Sequence, residues 1–580
     1  MMVASAYRTF FRRLNKSNNV AALLTRALST QTEAISKNRN KNASFPVLEV
    51  EVDCNDQSYQ NATERGMKSI QQLDKIMAVL SDGGGEKARK RHTELNRKLL
   101  VWDRIARLVD PGSEMIDLAP LAGLNLAYGD IPYGGMVCVI AKVRGRYCSI
   151  TANDGTVKGG TYFPITVTKA LRAQHISALH RLPSICLVDS GGGFLPLQAE
   201  LFPDKQHGGR SFHNQAVLSA AGVPQVAVVC GSCTAGGAYA PTMSDEAVMV
   251  DRIGTLFLGG PPLVRAALGE VISEEELGGA RLHCGVSGCC DMFAADEDEA
   301  FATTRDVIES LNLPEARENV SEPPLVAPDR LDSLSGLSQL SRDELKLVLA
   351  SVLDGSRFRE FKGSYGVNVI TGFGKLGGRL VGVVANHGTV TARDALKMAH
   401  LVELCDQRDI PLLYLQNARP DTVEECSDPE VLKCRARAAT VLAASRVPRI
   451  SVNLTGCHGD QHMTMCGISF EPSFYFAWPR AKFSGVSLSA AAPAPDEAAA
   501  APPRPEKPSL PADKPTKPGR PAKPPPLIQL PKDSSLYYAS RVLIDGVIRP
   551  RDTRKTLELA LAVVSWNTPQ QERRHPVIRM

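Results

Sequence analysis

The chain has 580 residues, 43% of them hydrophobic, and a formal net charge of +5. That length exceeds one ordinary core and implies two or three domains. No apolar run approaches the ~18 residues of a membrane span, and so small a charge excess leaves no footprint for nucleic acid.

Residues 1–30 carry Arg8, Arg12, Arg13, Lys16 and Arg26 among Ser, Thr, Ala and Leu, and the first acid is Glu33. A basic, acid-poor leader of this kind predicts a mitochondrial transit peptide and the mitochondrial matrix as destination; an ordinary N-terminal tail is the alternative. Apolar positions then recur at helical spacing through Leu73, Ile76, Met77 and Leu80. Gly83-Gly84-Gly85 interrupts, and the basic run Lys87, Arg89, Lys90, Arg91 leads into a second amphipathic helix closing near Asp110-Pro111-Gly112.

From 135 to 310, short apolar strands (Met136–Val143, Ser184–Val188, Gln225–Val229) alternate with Gly-rich turns and helical stretches. This is an α/β pattern with buried strands. Leu311–Asp332 reads as a linker. A second α/β block follows, with strands expected at Val369–Phe373, Leu380–Ala385, Pro411–Gln416 and Arg449–Leu454, which suggests a duplicated fold without a sequence repeat. Residues 491–532 hold 14 of the 39 prolines, a composition that builds no core. Order resumes at Ser534, with a strand expected at Val542–Ile544 and a helix around Thr556–Val564.

The 14 cysteines have no framework spacing, which fits a reducing compartment. Cys230 and Cys233 form a C-x-x-C, but Cys230 ends a strand and Cys233 sits in a Gly-rich turn, whereas a redox pair usually opens a helix. His283, Cys284, Cys289 and Cys290 lack the second paired cluster of a zinc site, and His458 and His462 lack a third ligand. No metal is expected.

The segment most informative about chemistry is Gly231-Ser232-Cys233-Thr234-Ala235-Gly236-Gly237-Ala238-Tyr239, directly after an apolar strand. Tandem glycines there let backbone N–H groups converge on an oxygen with no side chain in the way. The outcome is an oxyanion hole, a phosphate cradle or a plain structural turn. The segment lacks the Lys-Ser/Thr of a P-loop and the spacing of a dinucleotide fingerprint.

Gly231–Tyr239 resembles the oxyanion loop of the acyl-CoA carboxyltransferases, which share the crotonase-like fold. Ala152–Gly160, Val188–Gly192, Phe202-Pro203-Asp204, Gly254–Pro262 and Glu276–Ala280 match the same family, and the agreement runs from about 59 to 316. Asp354–Phe358 and Tyr365-Gly366 match its second acyl-CoA-binding segment, and Trp478-Pro479 and Arg541–Thr553 also match. The methylcrotonyl-CoA type is the nearest.

The resemblance implies an α/β fold of two crotonase-like (ClpP/crotonase) carboxyltransferase domains. The expected bounds are 59–316 for the acyl-CoA half, and 322–490 with 533–570 for the biotin half. The latter contains an acyl-CoA-binding segment at 349–378 and a Pro-rich insert at 491–532. In the family's chemistry carboxybiotin releases CO2, the biotin anion takes a proton from the acyl-CoA, and the carbanion attacks CO2. Two oxyanions must be stabilised. By this analogy N–H groups around Gly236 and Gly237 hold the thioester oxyanion, beside Ala235. Lys87, Arg91 and Lys98 are candidates for CoA phosphates, with a solvated helix face as the alternative. Gly355, Arg357, Tyr365 and Gly366 complete the acyl-CoA set.

The biotin half departs from the family. After Gln416-Asn417 the chain reads Ala418-Arg419-Pro420-Asp421 where relatives have small residues, and proline removes a donor. Relatives place Gly-Ala-Gly in the biotin oxyanion loop; here Gly459 is followed by Asp460-Gln461. A carboxylate there is expected to repel a developing oxyanion by ~4 kcal/mol at 4 Å and an effective dielectric of 20. The family's later Gly-Gly-Glu-Gln is replaced by Val486-Ser487-Leu488-Ser489. Ala395-Leu396-Lys397-Met398 mimics a biotinyl-lysine motif but lies in a helical pattern, so biotin is expected on another chain. That partner is a biotin carboxylase/biotin carrier alpha subunit, which also uses the ATP. The resemblance further implies a homo-oligomer, a hexamer built from dimers. Three functions compete: an active carboxyltransferase subunit, a catalytically impaired paralogue that binds acyl-CoA and joins the assembly, and a hydratase or thioesterase. The third lacks a carboxylate pair at the family's positions.

Overall fold

The computed structural model describes residues 45–50, 52, 56–317, 319–485 and 529–566. The expected transit segment, Val486–Ser489 and the Pro-rich stretch 491–528 lie outside them. Among the described residues, no helix is long and apolar enough to cross a membrane.

The first helix, Gln57–Ser81, starts where the Asp56 carboxylate accepts the Gln57 N–H, and it buries Ile70, Leu73, Ile76 and Leu80. It stops at Gly83-Gly84. A Cβ on Gly84 would lie 1.9 Å from the Thr156 carbonyl oxygen, so only glycine permits this approach. A short helix, Glu86–Lys90, continues into a π-turn at Arg91–Leu95, and the next helix is Val101–Leu108.

The first sheet contains β1 (Ile116–Asp117), β2 (Met136–Val143), β3 (Arg146–Asn153), β4 (Ser184–Ser190), β5 (Gln225–Thr234), β6 (Glu246–Val250), β7 (Thr255–Phe257) and β8 (Met292–Ala294). Its order is β1-β2-β3-β4-β5-β6-β8, with β7 pairing the far end of β5. The β2–β3 pair is an antiparallel hairpin, and β3 to β6 run parallel. These parallel strands are buried on both faces, which is why they read as unbroken apolar runs.

The second sheet contains β9 (Phe358–Glu360), β10 (Val369–Leu376), β11 (Arg379–Asn386), β12 (Leu412–Gln416) and β13 (Arg449–Asn453). The chain then makes β14 (Gly456–His458), β15 (Phe474–Ala477), β16 (Lys482–Ser484) and β17 (Gly546–Val547). The order is β17-β15-β13-β12-β11-β10-β9, with β14 and β16 forming a separate pair. Again an antiparallel hairpin, β10–β11, precedes a parallel series. The duplication inferred from strand rhythm is therefore one of topology. Both sheets belong to one compact body, and one core joins Val139 and Val228 of the first to Tyr475 and Phe483 of the second.

Two local expectations are corrected. Val542–Ile544 is a turn with Val542 at φ 59°, and the strand begins only at Gly546. The Leu543 N–H closes back on the Tyr538 carbonyl, so the helix Ser535–Ser540 ends in a tight cap where alternation suggested a strand. Cys233 lies in β5 and not in the turn after it.

Candidate acyl-CoA and oxyanion site

Ligands of parallel α/β sheets bind beyond the carboxyl ends of the strands. In the first half three such ends converge. The turn after β3 carries Asn153–Gly160, the turn after β4 carries Gly191-Gly192-Gly193, and β5 leads through Ala235 into the helix Gly236–Thr242. The Gly191 N–H donates to the Gly159 carbonyl (3.2 Å), which joins the first two turns. A Cβ on Gly192 (φ 87°) would sit 3.0 Å from the Thr234 carbonyl, which joins the second to the third.

Ala235 takes φ 52°, ψ −117°, and its N–H donates to Phe257 O at the end of β7 (3.1 Å). Holding a non-glycine residue there is costly, and it swings the chain so that Gly236 and Gly237 open a helix. The first N–H groups of a helix have no intrahelical partner. Among the described residues no partner is recorded for the N–H of Gly236, Gly237 or Gly193, and all three glycines line one pocket. Converging N–H donors at a water-poor pocket stabilise a developing oxyanion. The Gly192-Gly193 contribution was missed from the sequence, although tandem glycines after an apolar strand were the available signal.

Behind these turns Arg104, fully buried, reaches Glu297 (2.6 Å), Asp189 (3.2 Å) and the Cys230 carbonyl (2.7 Å). Lys98 adds a 3.0 Å ion pair to Asp189 with only 13% of its side chain exposed. Its ammonium is thus engaged in the foundation of the site, and the expected phosphate contact does not suit it. Lys87 and Arg91 are exposed and have no ion pair among the described residues, whereas Arg89 pairs with Asp82 and Lys90 with Glu86. Cys230 and Cys233 both direct their sulfur to the Val188 carbonyl, and burial pushes the Cys230 thiol up to about 12, which removes the redox reading.

The 349–378 residues do not gather at one place. Tyr365 and Gly366 precede β10 at the end where Val369 pairs with Asn386. Gly355 and Arg357 lie at the opposite end, near Gly374–Leu376, about 20 Å away at ~3.3 Å per residue. Arg357 faces Glu322 at 3.7 Å. Gly366 (φ 59°) packs against Arg393 and Asp394 of the helix Ala392–Gln407, where a Cβ would approach to 3.0 Å. Lys397 of that helix is fully buried and donates to Gly366 O (3.1 Å) and Val369 O (2.7 Å), so the biotinyl-lysine mimic is a core lysine.

The second half repeats the first with different side chains. β13 and β14 together follow the path of β5. Gly459 (φ 53°) stands where Ala235 stands, and its N–H donates to Ser484 O at the end of β16 (2.9 Å), as Ala235 does to Phe257. Gly459 is therefore the hinge of the turn and not an oxyanion donor, which corrects its expected role. The positions matching Gly236-Gly237 are Asp460-Gln461, at the start of the helix Gln461–Thr464.

Asp460 turns to Arg435, with both carboxylate oxygens 3.0 Å from its Nη1, and the same guanidinium holds fully buried Asp421 at 2.7 and 3.0 Å. Burial by itself lowers the Arg435 pKa; Asp421 and Asp460 more than offset this and raise it above its ordinary value. The charge of Asp460 is thus compensated, and the repulsion expected from an unpaired carboxylate does not apply. Gln461 is fully buried and donates to Arg419 O (3.1 Å). Arg419 turns outward to make a bidentate pair with Glu425 (2.8 and 3.0 Å). The space that Gly237 leaves open in the first half is occupied here by a side chain, and Pro420 offers no N–H.

Paired parallel staircases with glycine turns at the strand ends define a crotonase-like carboxyltransferase. A family model described as carboxyl transferase domain matches residues 94–578, and the chain belongs to the carboxyl transferase family. It is 41% identical over 525 residues to the mitochondrial methylcrotonoyl-CoA carboxylase beta chain of Dictyostelium discoideum, covering 89% of this chain and 88% of that one. It is 42% identical over 518 residues to the biotin-dependent 3-methylcrotonyl-coenzyme A carboxylase beta1 subunit of Mycobacterium tuberculosis, covering 88% and 96%. The crystal structure of the beta subunit of P. aeruginosa geranyl-CoA carboxylase superposes with a TM-score of 0.75 at 29% identity, covering 92% of this chain and all of that one.

Proposed function

We propose that the chain is the carboxyltransferase subunit of a biotin-dependent acyl-CoA carboxylase acting on 3-methylcrotonyl-CoA, as in leucine degradation. The observation that carries the reading is the set of unengaged N–H groups at Gly193, Gly236 and Gly237, facing one pocket at the ends of β4 and β5. They hold the thioester oxygen as negative charge develops on it. Lys87 and Arg91 meet the CoA phosphates. Biotin is carried by a partner alpha subunit, which also uses ATP, and the assembly works in the mitochondrial matrix, where three of the similar beta chains are placed by their names. A homo-oligomer is supported by exposed Leu258, Leu263, Leu268, Val271 and Val286 on neighbouring turns of the first half.

A second reading, an impaired subunit that binds acyl-CoA and joins the assembly, is favoured by Gln461 and Pro420. The residues around Gly459 do not fit an open biotin oxyanion hole, because a side chain fills it and one donor is a proline. Titration calorimetry with 3-methylcrotonyl-CoA tests what the two readings share, and absence of heat at millimolar ligand would remove both. Reconstitution with a biotinylated partner subunit separates them. Bicarbonate incorporation roughly 30- to 1000-fold below that of an active beta chain is expected; full activity rejects the second reading.

A further inference from the structure

We propose that the cavity beneath the Gly236–Gly237 turn is an acyl-chain channel, and that the protein prefers acyl groups longer than the five-carbon 3-methylcrotonyl group. The inference rests on the acyl-CoA reading of this site and specifies its substrate class. The cavity opens at Gly192, Gly193, Gly236 and Gly237, between Phe202 and Phe212. It then follows β4 past Cys186 to Ser184, at the other end of that seven-residue strand. At ~3.3 Å per residue this is roughly 20 Å of depth. The empty space is about 930 Å³. A five-carbon group fills only the mouth.

The space exists because the helix Pro164–His180 presents Ala170, Ala173, Gln174 and Ser177 to it, the i, i+3, i+4, i+7 positions of one face. Gly208, which opens the facing helix Gly208–Ala220, adds no bulk. The polar groups of the wall are satisfied locally. Ser177 donates to Ala173 O, Ser184 to Ser177 Oγ and Thr151 to Cys186 Sγ. The side-chain amides of Gln174, Gln215 and Gln225 donate to Ser211 O, Ala240 O and Gln215 O. What remains facing the cavity is chiefly methyl, methylene and aromatic surface. Protein interiors are close-packed, and a dry apolar void of this depth is destabilising unless a ligand fills it. An apolar chain attached to a thioester held at the glycine turn is the ligand that fits both the mouth and the depth.

The test compares 3-methylcrotonyl-CoA with the acyl-CoA that keeps the same 3-methyl-2-enoyl head and adds five further carbons, by titration calorimetry of the full chain. The longer ligand should bind at least ~10-fold more tightly, a modest fraction of what five buried carbons supply. In Ala173→Leu, which narrows the channel, that preference should fall to within ~3-fold. Ala170→Leu serves if the first variant does not fold. Equal affinity of the native chain for both ligands overturns the proposal, and so does a preference that survives narrowing. Failure to bind either ligand overturns the acyl-CoA reading itself, and the channel with it.

Discussion

The two strand-exit turns differ less in backbone than in what their side chains do. Ala235 and Gly459 share a positive φ and the same hydrogen bond to the end of a neighbouring short strand. After this common hinge, one half continues with Gly236-Gly237 and the other with Asp460-Gln461. Each half also buries one arginine between two carboxylates. In the first, Arg104 joins Asp189 and Glu297 behind the turn, and the turn itself stays small. In the second, Arg435 joins Asp421 to Asp460, so the turn is part of the cluster. A departure from small residues is therefore not simply a lesion. The bulk arrives with partners, and the loop gains a polar scaffold while it loses open space.

The largest effect should come from removing the scaffold. Arg435→Met leaves Asp421, with no exposed side-chain surface, beside Asp460 without a cation. Unpairing a buried charge typically costs ~3–5 kcal/mol. Chemical denaturation should show a loss in that range, and a loss below ~1 kcal/mol would mean that the cluster is solvated and the second turn is free to reopen.

Next come the two equivalent turn positions. In Gly237→Val a Cβ lies 3.1 Å from Ser190 O and 3.2 Å from Ser190 Cβ, so the helix start must shift. Carboxylation by the reconstituted complex should fall roughly 100- to 1000-fold, the usual weight of an oxyanion donor. Gln461→Gly should act in the opposite direction and raise the rate, because it vacates the matching space. If neither substitution changes turnover, the two turns are not equivalent in function. Asp460→Ala alone should matter less than Gln461→Gly, since its charge is already compensated.

The smallest effect is in pH dependence. Burial tends to raise the Glu425 pKa, but Arg419, the Thr422 N–H and the Thr389 hydroxyl together bring it from 4.5 to about 2. Because the folded value is the lower one, the contribution to stability is present above pH 4.5 and is lost as pH falls toward 2. Glu425→Gln should flatten the stability profile within that window and leave it unchanged near neutrality. An unaltered acid limb would show that Arg419 is not anchored there.

Much of the protein was legible without coordinates. Strands such as Met136–Val143 and Pro411–Gln416 were read to within a residue, because parallel strands buried on both faces must be continuously apolar. The Gly231–Tyr239 turn could be recognised because only glycine allows donors to converge without obstruction. The turn at Val542–Ile544 was not legible, since a capped helix end and a short strand share the same apolar residues. Nor was the fate of Lys98, Asp460 or Gly459. A basic run looks alike whether its head meets phosphate or a buried Asp189 from 91 residues away. A carboxylate looks hostile to an oxyanion until Arg435 is found beside it. Local pattern determined the elements and the glycine turn. Charge compensation, the exchange of hinge and donor roles in the second turn, and the channel behind the first depend on contacts between distant segments, which only the folded chain brings together.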